Sequence, residues 1–278
     1  MARDSAQKVG IYVDVSNITR NGGHGMRYDI LRDFACREGD EPIRLNAYVA
    51  YDEERARTDI DYKERTLNFY STLRDYGYKV IEKPVTWYED ETGLKYGKAN
   101  ADLDMAVDTL LQSENLDRVL LATGDGDFVQ VVKALQNKGC RVEAVAFQNV
   151  SSQLKREVDL FFSGYLIPQL LPIKENEERG VRWGEIGSRV RGICYSYNHA
   201  KNYGFMRFLK HIGPGLWVTD TRRPESPYET AFAHESNFDP AVDMDKLPNR
   251  EYIFEFDIVE GEEGRFQAVN ISRIFPRG

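Results

Sequence analysis

Through its first two thirds the sequence alternates short apolar runs with amphipathic segments, and that alternation leaves few folds open. Apolar runs occupy residues 9–15, 43–51, 79–85, 118–123 and 141–147, and helical periodicity fills 28–37, 58–76, 102–112, 127–137 and 151–159. A buried parallel strand is apolar throughout, and joining two of them needs a crossover long enough for a helix. The pattern therefore predicts an α/β domain: a parallel sheet with helices on both faces. Gly77 and Gly139 follow two of the helical segments, where a helix end turns left-handed.

The texture changes after Pro168 and Pro172. IKENEERG is charged and reads as a solvated connector. Beyond it come short strand-like runs at 188–197, 203–209, 216–220, 230–234, 251–260 and 265–274, with no helical period. The expected organisation is an α/β domain over 8–172, a linker over 173–186 and a small all-β barrel over 187–276. At 278 residues the chain has room for both.

No run approaches the length of a membrane span, and MARDSAQKVG lacks the apolar core of a secretory signal. The three cysteines, Cys36, Cys140 and Cys194, are too scattered for a disulfide framework or a zinc site, so a cytoplasmic location is expected. A net charge of -8 argues against holding nucleic acid by bulk positive charge. Locally, however, 181–211 sets Arg182, Arg189, Arg191, Lys201, Arg207 and Lys210 against Glu185, which predicts a basic surface inside an acidic chain.

Acids stand where the apolar strands end or the next helices begin: Asp14 in IYVDVSN, Asp102 and Asp104 in NADLDMAVD, Asp125 and Asp127 in LLATGDGDF. In open α/β sheets the carboxyl ends of strands deliver ligand-binding groups. Converging carboxylates suit a hard cation, Mg2+ or Mn2+, of the kind that supports phosphodiester hydrolysis. Taken singly, most have plainer uses. Asp127 can cap the helix FVQVVKAL, Asp125 can close a turn, and Asp102 can cap DMAVDTLL. Asp104 and Asp108 sit near that helix's first turns, where negative charge is favoured, and Asp108 is read as structural. Asp14 is different, because a carboxylate ending a buried strand needs polar company or a cation. Arg20 and His24 in TRNGGHG, and Lys98, are read as solvated.

The strings IYVDVSN, KANADLDMAVDTLL and LLATGDGDFVQVVKALQNKGCRVEAVAF, in that order over residues 8–170, resemble the NYN domain of the PIN-like nuclease superfamily, in its LabA-like bacterial branch. The resemblance implies a Rossmann-like sheet of strand order 3-2-1-4-5 and a Mg2+- or Mn2+-dependent ribonuclease site. Carried over by motif, Asp14, Asp102, Asp125 and Asp127 become metal-site candidates, with Asp104 a fifth acid. Asn17 would orient Asp14 or a substrate phosphate, and Ser16 and Thr123 would be hydroxyls supporting the acids from behind.

In the second domain, NHAKNYGFMRF puts Tyr203 and Phe205 on one side of a strand, and TAFAH does the same with Phe232 and His234. Facing outward, such rings stack bases; facing inward, they are barrel core. The series GICYSYNHAKNYGFMRF, TAFAHESNF and EFDIVEGEEGRFQAVNIS resembles a cold-shock domain, an OB-fold barrel, over 187–276. That resemblance assigns Tyr197, Tyr203, Phe205, Phe232 and His234 to stacking positions, with Lys201 and Arg207 supplying charge to the nucleic-acid backbone. Ser196 stands where the family has tryptophan, and the stretch 209–229, which carries Trp217, Arg222, Arg223 and Tyr228, is longer than the family's hairpin. The expected function is metal-dependent hydrolysis of single-stranded RNA, with the barrel presenting the substrate. A nuclease acting on DNA, a non-catalytic RNA-binding regulator and a protein-interaction scaffold are the alternatives.

Overall fold

The computed structural model describes residues 6–89 and 92–274; the side chains of Lys95, Tyr96, Lys98 and Glu263 also lie outside the described set, and with them the reading of Lys98. The chain divides into two compact units, one built from residues up to Phe162 and the other from Ser163 onward, with Gly25–Ile30 belonging to the second.

In chain order, the strands before the barrel are β1 (Lys8–Asp14), β2 (Glu41–Tyr51), β3 (Lys79–Pro84), β4 (Thr86–Glu89), β5 (Lys95–Lys98), β6 (Arg118–Ala122), β7 (Arg141–Ala146) and β8 (Leu160–Ser163). Six of them form one sheet in the order β3-β2-β1-β6-β7-β8, while β4 and β5 form a separate hairpin. Counting only strands of the sheet, this is the expected 3-2-1-4-5 with a sixth strand added at the edge. The ladders β1–β2, β1–β6, β2–β3 and β6–β7 are all parallel.

Alternation along the strands builds two buried faces. Tyr12, Leu121 and Ala144 are direct cross-strand neighbours and pack with Met105, Val132 and Leu135 from the helices Ala101–Gln112 and Val129–Asn137. Ile11, Val13 and Leu120 point the other way and are equally sealed from solvent. At the amino end of the sheet, Arg37 grips Glu143 through two bonds of 2.7 and 2.8 Å, and buried Arg118 bonds Asp40 at 2.8 Å. These ions hold the end of the sheet opposite the carboxyl ends of its strands.

Three elements differ from expectation. The hairpin β4–β5 and the short β8 carry no long apolar run. The segment 58–76 is really the end of one helix, Glu53–Thr58, followed by a second, Ile60–Asp75, whose first turn Asp59 caps through a 2.8 Å bond from Tyr62 N–H.

The second unit contains β9 (Arg189–Asn198), β10 (Tyr203–Leu209), β11 (Tyr228–His234), β12 (Asn249–Glu260) and β13 (Phe266–Arg273), closed in the order β10-β11-β13-β12-β9. β13 runs parallel to β11 and the other ladders are antiparallel, giving an OB-like barrel. Val190, Cys194, Met206, Phe208, Ala231, Phe254, Phe256 and Ile271 fill its interior.

Residues 216–220 contain a turn and no strand. The stretch read as a solvated connector is instead built into the barrel. Lys174–Arg179 is a helix, Ile173 and Trp183 join the barrel core, and Trp183 donates its indole N–H to the Leu209 carbonyl at 2.8 Å. Buried Asn176 accepts from Arg189 N–H at 2.6 Å and donates to the Arg189 carbonyl at 2.7 Å, continuing the edge of β9. The segment's many charges conceal these inward positions. Half of the basic surface is neutralised as well: Arg189 pairs with Glu255 and Asp257, Arg191 with Glu255, and Lys210 with Glu229. Among the described residues no helix is long and apolar enough to cross a membrane.

Candidate functional site

The sheet order reverses between β1 and β6, whose carboxyl ends lie side by side, Val13 opposite Ala122. A crevice is expected at such a switch point. It is there, as a cleft of about 590 Å3 whose walls include Asp14, Ser16, Asn17, Arg20, Asp102 and Asp125.

Each side chain is placed by its element. Asp14 ends β1 and caps the short helix Val15–Ile18, its carboxylate accepting from Asn17 N–H at 2.9 Å. The Asn17 side-chain oxygen accepts from Gly124 N–H at 2.9 Å, lashing the end of β1 to the turn after β6. Thr123 is fully buried, and its hydroxyl accepts from Asp125 N–H at 3.2 Å. Asp125 in turn accepts from Asp127 N–H at 2.9 Å, closing the GDGD turn. Asp102 arrives on the first turn of Ala101–Gln112.

Burial raises the Asp14 carboxyl above the ordinary aspartate range. The Asn17 N–H works against this, the charges of Asp102 and Asp125 add to it, and Arg20 offsets part of it. Asp14 is thus a carboxylate that is only 7% exposed and faces two other acids.

Two predicted acids stand apart. Asp104 ion-pairs with Lys83 and is not on the cleft wall. Asp127 is exposed and also off the wall, contributing its backbone to the turn. Asp108, read as structural, accepts from the Tyr48 hydroxyl at 2.9 Å. Sequence reasoning passed over Asp52 and Trp87, which both line the cleft. Asp52 directly follows β2 just as Asp14 closes β1, so the same strand-ending signal was available in AYVAYDEE.

The oxygen donors of Asp14, Asp102 and Asp125 share one cleft, and their mutual repulsion is what a cation relieves. Among the described residues no three carboxylate, imidazole or thiol groups stand close enough to enclose an ion unaided. That rules out a closed protein cage among the described residues, and carboxylate oxygens are the donor type of which a hydrated Mg2+ or Mn2+ would take one or two.

The profile of the NYN domain matches residues 8–168, more than half of the chain. The chain belongs to the NYN-domain family. Its NYN domain accordingly has the fold of the PIN-like nuclease superfamily. It is similar to the low amplitude and bright protein LabA of Synechococcus elongatus, 24% identical over 161 residues, which cover 55% of this chain and 82% of that protein. A crystal structure of a protein of unknown function from Vibrio parahaemolyticus is 25% identical and covers 59% of this chain and 96% of its own, with a TM-score of 0.48.

Outside the NYN domain, the barrel carries the second set of predicted residues. Tyr203 and Phe205 alternate with buried Gly204 and Met206 and so face outward, and Phe205 lies directly opposite Phe232 on β11. The three rings cluster with centroids 5.4–6.0 Å apart. His234 is exposed at the end of β11, opposite Tyr203, and Lys201 is exposed in the turn between β9 and β10. Arg207 lies between two tyrosines, 5.2 Å from the Tyr195 centroid and 5.4 Å from that of Tyr228. Tyr197 does not join this face. It packs against the barrel core, edge-on to Phe238, and bonds Glu235 at 3.1 Å. The cause is a bulge: Phe205 pairs with Ser196 and Met206 with Cys194, leaving Tyr195 as the extra residue and inverting the phase beyond it.

Proposed function

We propose that this protein is a Mg2+- or Mn2+-dependent ribonuclease that hydrolyses phosphodiester bonds of single-stranded RNA in the NYN cleft, and that its cold-shock-like barrel supplies the substrate. The observation that carries this reading is the meeting of Asp14, Asp102 and Asp125 in one cleft at the switch point of the sheet. One or two of these carboxylates would hold the hydrated ion, with Asp14 and Asp125 offered from adjacent strand ends and Asp102 from a helix start. A hard divalent ion there supplies Lewis-acid stabilisation of phosphate charge and lowers the pKa of water.

The chain's own residues do the rest. Asn17 fixes the direction of Asp14, Thr123 and the Asp127 N–H fix Asp125, and Arg20 lends the wall a positive charge suited to phosphate. On the barrel, the Tyr203, Phe205 and Phe232 rings form a stacking face whose tolerance of sequence favours unpaired RNA over a particular motif. Carrying both units on one chain raises the local concentration of RNA near the cleft.

The test is cleavage of labelled single-stranded RNA with Mn2+, Mg2+ or EDTA, alongside Asp14→Asn and Asp125→Asn. The reading requires metal-dependent cleavage that both variants lose. A second reading, an RNA-binding regulator without catalysis, keeps the barrel's aromatic face and makes the cleft inactive. Tight RNA binding with no cleavage under any metal would favour it. Competition between RNA and DNA strands of one sequence identifies the preferred nucleic acid.

A further inference from the structure

A second cavity of about 480 Å3 adjoins the acidic cleft within the same unit and shares Ser16, Arg20 and Ala50 with it. Its character is opposite. Where the cleft gathers carboxylates, this groove gathers Arg20, Arg55 and Arg65 around the rings of Tyr62, Phe69 and Tyr70.

The three arginines are not equally committed. Arg55 bonds Asp59 at 3.1 Å and lies 4.6 Å from the Tyr62 centroid, so it stiffens the groove wall. Arg65 donates its Nε–H to the Asp61 carbonyl at 3.1 Å, which leaves its terminal amino groups without a protein acceptor among the described residues. Arg20, on the rim common to both cavities, has no ion pair among the described residues. The guanidinium groups of Arg20 and Arg65 beside aromatic surface match a ligand with both a phosphate and a planar ring, and the volume is within the roughly 300–1,000 Å3 range of small-molecule sites.

We propose that this groove is a subsite for the nucleotide adjoining the scissile phosphate, with its phosphate held by Arg20 and Arg65 and its base against Tyr62 and Phe69. The assignment rests on the nuclease reading above and adds a selection for unpaired RNA inside the NYN domain itself, since a base held in a duplex cannot turn into the groove.

The experiment irradiates the full-length protein with 4-thiouridine-substituted oligouridine in EDTA and maps the adducts by mass spectrometry. The expected result is an adduct on Tyr62 or Phe69 that falls about tenfold in Arg65→Gln, as loss of a charge-assisted bond predicts, while adducts on the barrel persist. Adducts confined to the barrel, or a yield at 62–69 unchanged by Arg65→Gln, overturn the proposal. Because the readout needs neither metal nor turnover, the two readings fail separately. An adduct in a protein that never cleaves RNA keeps the groove as a nucleotide-binding site and removes the nuclease, whereas metal-dependent cleavage without the adduct removes only the groove's role.

Discussion

The side-chain oxygen of Asn17 accepts the backbone N–H of Gly124 at 2.9 Å, across 107 positions of sequence. Through this one amide, the residue that orients Asp14 also fixes the turn that presents Asp125. Asn17→Ala would leave the Gly124 N–H without its acceptor, costing about 1–3 kcal/mol of stability. Cleavage should fall more, by about 10- to 100-fold, as is usual when the support of a ligand is lost. Urea denaturation and initial cleavage rates, measured in parallel, separate the two effects.

Asp14 should be a residue that function keeps at the expense of stability. Its folded pKa is raised, so its ionised form destabilises the fold at pH above that pKa, and the penalty vanishes below the unfolded value. In EDTA, Asp14→Asn is therefore expected to unfold at higher urea than the parent at neutral pH, with the gap closing in acid. Added Mn2+ should raise the parent's midpoint and leave that of Asp14→Asn in place, as selective binding to the native state requires.

Glu143 carries the opposite sign. Burial acts to raise its pKa, but hydrogen bonds and charges from Arg37, Arg141 and Arg118 hold it below the ordinary glutamate range. Its stabilisation is complete above the unfolded pKa and is lost as pH falls through the folded one. Glu143→Gln leaves the buried Arg37 and Arg118 short of a counter-charge and should cost about 3–5 kcal/mol at neutral pH by chemical denaturation.

Asp104 should prove dispensable for cleavage. Its carboxylate is occupied by Lys83 in a partly exposed pair worth about 0–1 kcal/mol. Asp104→Asn is expected to retain cleavage near the parent level under conditions where Asp125→Asn has none, and equal loss in both would return Asp104 to the site.

On the barrel, Phe205→Ala and Phe232→Ala should each weaken binding of single-stranded RNA in EDTA by about 1–3 kcal/mol, read by fluorescence anisotropy. Tyr197→Phe removes only the bond to Glu235 and should leave that affinity unchanged. A loss there matching Phe205→Ala would show that the Tyr197 hydroxyl, and not only its ring, serves RNA binding.

The sheet was legible because its central strands are buried on both sides and so announce themselves as unbroken apolar runs. The acids at the ends of β1 and β6 came with them. Asp104 lies off the cleft wall because helical phase overrides sequence proximity: two residues along a helix are about 200° apart, so Asp102 and Asp104 point in different directions. Asp52 was hidden by the acids beside it, and Trp87 by a hairpin too polar to read as strands. On the barrel, alternation placed Tyr203, Phe205 and Phe232 correctly, but a bulge has no signature in residue type, so it concealed both the exit of Tyr197 from the outer face and the entry of Tyr195.

The insertion of Ile173 and Trp183 into the barrel core changes what counts as a transferable module. A fragment begun at residue 187, where the strands start, would open the barrel's interior on one side and leave the Leu209 carbonyl and the Arg189 amide without their partners. In gene fusion, or in recombination between unrelated proteins, the barrel travels intact only with the charged segment ahead of it. The apparent spacer is cargo.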